Sequence, residues 1–510
     1  MIPTTCLTYP IWNQIGIHPH HGINIPLFAL RSQKNSDFGT FLELRPLIDF
    51  CQSVGMDTIQ LLPLNDSGSD VSPYNIISSC ALDPVYIDTN VLPSFPNMNH
   101  LGSLPYAERK KLKLKYLYDY YLQTGSTTQQ EIGYKKFIEN NPRVSSYALF
   151  RSLKDLHEGK PFWEWEKQYQ NPSEHEKKAY INTFPERVNF YLFLQYLCFS
   201  QLSSIKAYAT TKKVFLFGDL PILISPDSAD VWTNPSLFNR NFVVGAPPDN
   251  YNKEGQKWGF FPDQYEVLQK TQFAWWKERL TYISHFYDMY RIDHVVGLFR
   301  LWIMTPEAKA IDGFYLPKDP ALWLLQGKET LENMIQASSM LPIAEDLGVI
   351  PNGLREILQS LGVCTTKFMR WERNWEGDKK FVSPNNYPPI SLTTVSTHDS
   401  ETLALWWRDF PKEAKLYANE KKWDYKPLLS IEQQEKILYE SHHSGSLFHV
   451  NLLQEYLRLF PELSYPTLEE DRINIPGKVL SSNWTYRFKP TVEEIVSHEG
   501  LKKLFRKVIS

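Results

Sequence analysis

The stretch FYDMYRIDHV, residues 286–295, decides the fold, because a run of apolar and aromatic residues ends abruptly in charged ones. Such a run predicts a buried strand that carries polar side chains at its carboxyl end. The same pattern recurs along the 510-residue chain. The clearest other runs are DTIQLLPL (57–64), VFLFGDLPI (214–222), LPIAEDLGV (341–349), TKFMRW (366–371) and TTVSTHDS (393–400).

Candidate helices lie between these runs, which indicates parallel strands. Three are clear, and they are FGTFLELRPLIDFCQSVG (38–55), WWKERLTYISHF (275–286) and GLREILQSLG (353–362). A doubly wound sheet usually has a glycine-rich phosphate-binding turn, and neither GxGxxG nor GxxxxGK[ST] is present. A closed barrel instead gathers polar groups at the carboxyl ends of many strands. We therefore predict an α/β fold, a (β/α)₈ TIM barrel.

Residues 95–205 break this alternation with charged, tyrosine-rich text that is typical of helices. The block is too long for a loop. We predict three parts: residues 1–94 begin the catalytic barrel, residues 95–205 form a mainly helical insertion subdomain, and residues 206–510 complete the barrel.

The composition excludes several classes of partner. The chain has 54 Lys and Arg against 57 Asp and Glu, without a basic run, so we expect neither nucleic acid nor a membrane surface as partner. No secretory signal or membrane-spanning run is visible, and the five cysteines are scattered, which together predict a cytoplasmic protein. Aromatic residues reach 14%, more than a core of this size usually needs, so some of them are expected to face a ligand.

Three carboxylates end predicted strands, and they are Asp293, Glu345 and Asp399. Each one alone is more simply a helix cap or the partner of an arginine. Together, with a second polar group within two residues of each, they predict a site for retaining glycosyl transfer, in which one carboxylate attacks and another donates a proton. The chain lacks a phosphate loop and a recognisable metal-ligand motif, so no metal or organic cofactor is expected.

The two roles need opposite ionisation states. Arg291 lies two residues before Asp293, on the same strand face, and supplies the cation that a nucleophilic carboxylate needs. Glu345 lies beside Asp346 and opposite Asp293, so burial and neighbouring carboxylates are expected to keep it protonated.

An ordered set of motifs makes this prediction specific. They are SPYN (72–75), FGDLPI (217–222), DSADVW (227–232), GAPPDNYNKEGQKWGF (245–260), YRIDHVVGLFRLW (290–302), IAEDLG (343–348), STHDSETLALWW (396–407) and INIPGK with NW (473–484). The chain resembles the 4-alpha-glucanotransferase family, also called amylomaltase or disproportionating enzyme. GAPPD with GQKWGF, AWWKERL and FRLW look closer to the plant cytosolic disproportionating branch than to short bacterial amylomaltases.

The resemblance implies a barrel with inserted B subdomains, without a separate C-terminal β-domain, that transfers α-1,4-glucosyl or glucanosyl units from maltose or maltodextrins. It implies Asp293 as nucleophile, Glu345 as acid/base and Asp399 as stabiliser of the transition state. Eight further residues match substrate-binding positions: Tyr74, Asp219, Asp249, Tyr251, Trp258, Arg291, His294 and His398. Asp249, Tyr251 and Trp258 belong to the loop 245–260, which resembles the family's acceptor-side loop.

Two alternatives stay open at this stage. One is an α-amylase-like retaining hydrolase that uses the same carboxylates. The other is a glucan-binding barrel protein without catalysis, which would be expected to lose one of the three carboxylates, whereas all three are present. Ser400 departs from the family, which often has Asn after THD, and this departure affects a neighbouring sugar contact.

Overall fold

The computed structural model describes residues 2–35, 37–248 and 253–510, and twelve strands occur in this part of the chain. They are β1 (His20–Ile25), β2 (Thr58–Leu61), β3 (Phe215–Leu220), β4 (Val243–Ala246), β5 (Gln256–Lys257), β6 (Met289–Ile292), β7 (Leu301–Met304), β8 (Phe314–Leu316), β9 (Leu341–Ala344), β10 (Cys364–Phe368), β11 (Ser391–Thr394) and β12 (Phe448–Leu452).

Twenty α-helices occur among the described residues. They are α1 (Tyr9–Ile15), α2 (Leu44–Val54), α3 (Tyr106–Thr128), α4 (Ile132–Asn140), α5 (Pro142–Leu156), α6 (Lys167–Gln170), α7 (Glu174–Thr183), α8 (Pro185–Thr211), α9 (Ala229–Thr233), α10 (Tyr265–Lys270), α11 (Ala274–Ile283), α12 (Val296–Phe299), α13 (Ala321–Gln336), α14 (Leu354–Leu361), α15 (Leu403–Asp409), α16 (Pro411–Glu420), α17 (Ile431–His442), α18 (Leu453–Leu457), α19 (Val492–Ser497) and α20 (Glu499–Ile509). None of these helices combines the length and the apolar character that a bilayer crossing requires.

Eight of the described strands form a closed parallel barrel, in the order β1, β2, β3, β6, β9, β10, β11 and β12, and β12 pairs with β1 to close it. Most of these strand residues are buried, because helices cover the outer face of a parallel barrel while side chains fill its interior. The predicted fold class is confirmed. All six predicted strands belong to the barrel, whereas β1 and β12 were not predicted.

The long connection between β2 and β3 contains six helices, α3 to α8, in residues that the structure describes throughout. The last of them, α8, packs against α5 and also contacts β3, so one helix serves both the insertion and the barrel. It runs to Thr211 and crosses the predicted boundary at residue 205. The division into residues 1–94, 95–205 and 206–510 stays a prediction.

A second sheet, which was not predicted, lies between β3 and β9 in the chain. Its strands run antiparallel in the order β5, β4, β7 and β8, and Val244 and Ile303 at its centre are fully buried. The sheet includes part of the loop 245–260, because Gln256 pairs with Ala246 and Lys257 with Gly245. This pairing brings the described part of the loop beside the carboxyl end of β6.

Candidate active site

A cleft of about 890 Å³ opens at the carboxyl ends of the barrel strands. Its walls include six of the predicted site residues, namely Tyr74, Trp258, Asp293, His294, Glu345 and Asp399. Asp219, Arg291 and His398 are buried and contact these residues from behind. The predicted contacts Asp249 and Tyr251 lie outside the described residues. The predicted catalytic carboxylates thus share one cleft.

Arg291 is the centre of the charged network. It lies in β6, and its Nη1 donates to Asp293 Oδ1 at 2.8 Å and to both carboxylate oxygens of Asp219 at 2.9 Å. Its Nη2 lies 3.1 Å from Glu345 Oε2. The hydroxyl of Tyr74 also donates to Asp219, at 2.7 Å. One guanidinium group therefore contacts both Asp293 and Glu345. Asp219, which itself accepts from Tyr74, holds that group in place.

Glu345 differs from the other carboxylates in its ionisation. Burial in the cleft raises the pKa of Glu345 to about 7, although Arg291 opposes this shift, and the nearby Asp293 carboxylate raises it further. The backbone N–H of His294 donates to Glu345 Oε2 at 2.7 Å. His294 has a φ of 51°, a left-handed conformation that is uncommon outside glycine. Since Oε2 accepts from His294 and lies against the Arg291 guanidinium, Oε1 is the oxygen left to carry a proton.

Asp399 also lines the cleft, and 43% of its side chain is exposed. Its Oδ1 accepts a hydrogen bond of 2.6 Å from Asn474 Nδ2, and its Oδ2 lies 3.4 Å from His398 Nε2. Partial burial raises the pKa of Asp399, but His398 and Asn474 together lower it to about 2. Asp399 is therefore ionised at neutral pH.

A row of rings forms the wall beside Asp399. Tyr74 stacks on His398 with ring centroids 5.0 Å apart, and Trp484 contacts both rings at 5.4 and 5.7 Å. A second ring pair also lines the cleft: Trp258 and His294 meet edge to face, with ring centroids 5.1 Å apart. The Trp258 side chain is half-buried, so it packs on His294 and still faces the cleft. Flat apolar faces next to carboxylates are typical of sugar-binding clefts.

Several cleft residues were not predicted. Asn474 is the hydrogen-bond donor to Asp399, and Glu401 joins Arg370 and Arg472 through ion pairs of 2.7 Å each. Asn474 belongs to the quoted motif INIPGK, which was the signal available in the sequence. Glu401 directly follows Ser400, and Ser400 directs its hydroxyl to neighbouring backbone carbonyls.

One part of the predicted electrostatics was wrong. Asp346 was expected to help keep Glu345 protonated, but its carboxylate binds Arg355 Nε at 2.8 Å and the backbone N–H of Thr366 at 2.9 Å. Consecutive side chains leaving a strand point in opposite directions, so Asp346 faces away from the cleft. Burial and Asp293 supply the effect instead.

Comparison with known proteins decides the family. The family model described as 4-alpha-glucanotransferase matches residues 25–493, which is most of the chain. The chain belongs to the 4-alpha-glucanotransferase family. A 4-alpha-glucanotransferase of Chlamydia caviae is 44% identical, over 96% of this chain and 94% of that protein. The predicted enzyme class is therefore confirmed.

Two further relatives bear on the fold and on the predicted closeness to the plant branch of the family. The amylomaltase of Streptococcus agalactiae, solved in complex with acarbose, has a TM-score of 0.81 and 24% identity over 96% of this chain and 99% of that chain. It confirms the predicted (β/α)₈ barrel fold. The plant likeness is distant: the enzyme of Oryza sativa subsp. japonica is 23% identical over 96% of this chain and 69% of that protein. The chlamydial relative is much more similar than this plant enzyme.

Proposed function

We propose that the protein transfers α-1,4-linked glucosyl or glucanosyl units from a maltose or maltodextrin donor to the 4-hydroxyl of a glucose or glucan acceptor, with retention at the anomeric carbon. The observation that carries this proposal is the bridge from Asp293 to Glu345 through the guanidinium group of Arg291. Retaining enzymes need two carboxyl groups about 5–5.5 Å apart, and a shared guanidinium keeps two carboxylates close.

Asp293 is proposed as the nucleophile. One of its carboxylate oxygens attacks the anomeric carbon of the donor, a carbon–oxygen ester bond forms, and the bond from that carbon to the leaving glucan oxygen breaks. The hydrogen bond of 2.8 Å from Arg291 fixes the orientation of the attacking carboxylate. The side chain is 26% exposed, which leaves it open to the donor.

Glu345 is proposed as the acid and then as the base. Because its pKa is raised to about 7, a large fraction of Glu345 is protonated at neutral pH and can give its proton to the departing sugar oxygen. The carboxylate that results then accepts the proton of the incoming 4-hydroxyl, whose oxygen attacks the anomeric carbon and displaces Asp293. Protons and bonds therefore balance over the two steps.

Asp399 is proposed to hold sugar hydroxyls and to stabilise the positive charge that develops at the anomeric carbon. A carboxylate serves this role only when it is ionised, and the low pKa of Asp399 meets that requirement. The rings of Tyr74 and His398 are proposed to contact the same sugar from the side of Asp399.

Transfer rather than hydrolysis requires an acceptor sugar held in place of water. Trp258 supports this assignment, because its half-exposed ring lies beside His294, next to Asp293, at a position where an acceptor ring can stack. A bound hydroxyl has a large effective concentration and competes well with water. Asp249 and Tyr251, in the same loop, stay predictions as further acceptor contacts. The acarbose complex of the streptococcal amylomaltase also supports α-glucans as ligands.

The test is incubation with maltotriose, with products separated by chain length and reducing ends measured in parallel. Disproportionation produces glucose, maltose and longer oligomers while the number of reducing ends stays constant. Reducing ends that increase in step with donor loss, without longer oligomers, would instead assign an α-amylase-like hydrolase to the same cleft.

A further inference from the structure

A second group of polar side chains lies at the amino ends of the barrel strands, opposite the cleft. His18 precedes β1, His20 begins β1, and Asp57 directly precedes β2. A ring nitrogen of each histidine and a carboxylate oxygen of Asp57 all lie within 4.8 Å of one another. His20 is fully buried, His18 is exposed, and the Asp57 side chain is 26% exposed. The reaction proposed for the cleft uses none of these groups.

Each imidazole of this group is anchored through one nitrogen. His18 Nδ1 lies 3.0 Å from the carbonyl oxygen of Pro19, and His20 Nε2 lies 3.0 Å from that of Gly16. A carbonyl only accepts, so both nitrogens donate, and in a neutral ring the other nitrogen keeps its lone pair. Histidines that bind metal ions are commonly held in this way, with the second ring N–H on a carbonyl.

The second ring nitrogen of His20 faces a carboxylate. His20 Nδ1 lies 2.7 Å from Asp57 Oδ2, and two acceptors at this distance require a cation between or beside them. A proton satisfies His20 and Asp57 alone. A metal ion also uses His18, whose ring centroid lies 4.3 Å from that of His20.

The backbone leaves room for the third ligand. Gly16 has a φ of 109°, and a Cβ atom at this position would lie 2.6 Å from His18 Nε2. Glycine is therefore the residue that admits the His18 ring beside His20.

We propose that His18, His20 and Asp57 bind one Zn²⁺ ion, with water as the fourth ligand. Two imidazoles and one carboxylate suit zinc, whereas Mg²⁺ and Ca²⁺ prefer oxygen ligands. Tetrahedral ligands at about 2.0–2.2 Å from zinc lie roughly 3.3 Å apart, so His20 and Asp57 separate only slightly when the ion enters. The exposed ring of His18 gives the ion access from solvent.

The ion would stabilise the fold rather than take part in the reaction. It would link the segment after α1 to the start of β2, and both lie at the end of the barrel remote from Asp293. This inference departs from the sequence prediction that the chain binds no metal. The HxH pair at residues 18–20 was present in the sequence, but Asp57 joins it only in the fold.

The test uses the full-length protein after chelation and dialysis into metal-free buffer. Equilibrium dialysis against ZnCl₂ should show one tightly bound ion per chain, and zinc should raise the Tm by several degrees. His18→Ala removes an exposed side chain and should weaken zinc binding at least about tenfold. His175→Ala, which removes an exposed histidine on α7, is the matched control and should bind zinc as the wild type does.

Two outcomes overturn the proposal. The first is that the wild-type protein binds no stoichiometric zinc, in which case only a proton links His20 to Asp57. The second is that the His18→Ala protein binds zinc as well as the wild type does. Because His18→Ala can change the Tm by itself, the zinc-induced increment is compared for each variant. Chelation should leave the maltotriose transfer rate at 25 °C unchanged. If the rate falls on chelation and returns with zinc, the ion does not act only as a structural ion remote from the cleft. Zinc binding and the Tm are measured whether or not the proposed transfer reaction is observed.

Discussion

Asn474 and Asp399, which are 75 residues apart in the sequence, are joined in the lining of the cleft by a hydrogen bond of 2.6 Å from the amide Nδ2 to the carboxylate Oδ1. The bond has two effects on Asp399. It lowers the pKa of the carboxylate together with His398, and it fixes the orientation of the carboxylate plane.

We expect Asn474→Ala to lower kcat/KM for maltotriose by about 10- to 100-fold, since a hydrogen bond to a charged group contributes about 1.5–3 kcal/mol. The measurement is the initial transfer rate over a range of donor concentrations. Asn374→Ala is the matched control, because Asn374 makes a comparable amide-to-carboxylate contact with Asp378 on the surface at 3.3 Å. A similar loss in both variants would show a general effect on the fold.

The pH dependence of the first step should follow the ionisation of Glu345. Proton donation needs the protonated acid, so kcat/KM is expected to be constant below pH 7 and to fall about tenfold per pH unit above the pKa of about 7. The profile is measured with maltotriose between pH 5 and 9. Glu345→Gln, assayed with an α-maltosyl fluoride donor that needs no proton, should lose this decline. A kcat/KM that rises through pH 7 would contradict the role of Glu345 as acid.

The two central carboxylates should fail in different ways. Glu345→Gln is expected to react with α-maltosyl fluoride and to accumulate an ester on Asp293, because fluoride leaves without a proton and the second step lacks its base. Asp293→Asn should form no covalent adduct with any donor. Peptide mass mapping locates the ester. An adduct on Asp399, or an intermediate in Asp293→Asn, would refute the assignment of the nucleophile.

Trp258 should control the choice between acceptor and water. Trp258→Ala removes the ring beside His294, so acceptor sugar is held less well and the share of donor that is hydrolysed is expected to rise several-fold. The ratio of new reducing ends to donor consumed measures this share. Trp163→Ala is the control, because Trp163 is also a half-exposed tryptophan but lies in the helical insertion. An unchanged ratio in Trp258→Ala would show that Trp258 only packs against His294.

The barrel strands that the sequence predicts lie in short runs of apolar or β-branched residues, such as TIQL in β2 and SLTT in β11. Strands β1 and β12, HHGINI and FHVNL, escape prediction because histidine, glycine and asparagine interrupt the apolar run. In the fold Asn451 of β12 has partners: it accepts from the backbone N–H of Val395 and donates to the hydroxyl of Tyr456. Val395 lies 56 residues from Asn451 in the sequence, so a local pattern does not reveal this contact.

The same distinction holds for the site. The three carboxylates are predictable because each lies at or within five residues after the end of a barrel strand, and strand ends meet at one edge of a parallel barrel. Asn474 lies in a segment without regular structure, so no periodicity indicates its direction. The direction of Asp346, by contrast, could be predicted from the sequence. Side chains alternate along a strand, so Asp346 points away from Glu345.

The pairing of β1 with β12 has a consequence for how the chain folds. His20 to Asn24 pair in parallel with residues 448–452, so the barrel closes only after more than four hundred residues have been synthesised. Contacts this far apart slow folding, and until they form, one backbone edge of β1 and one of β11 lack a pairing strand. A nascent chain that ends before β12 should therefore stay sensitive to proteases and depend on chaperones, whereas the helical segment between β2 and β3 gains compact structure earlier.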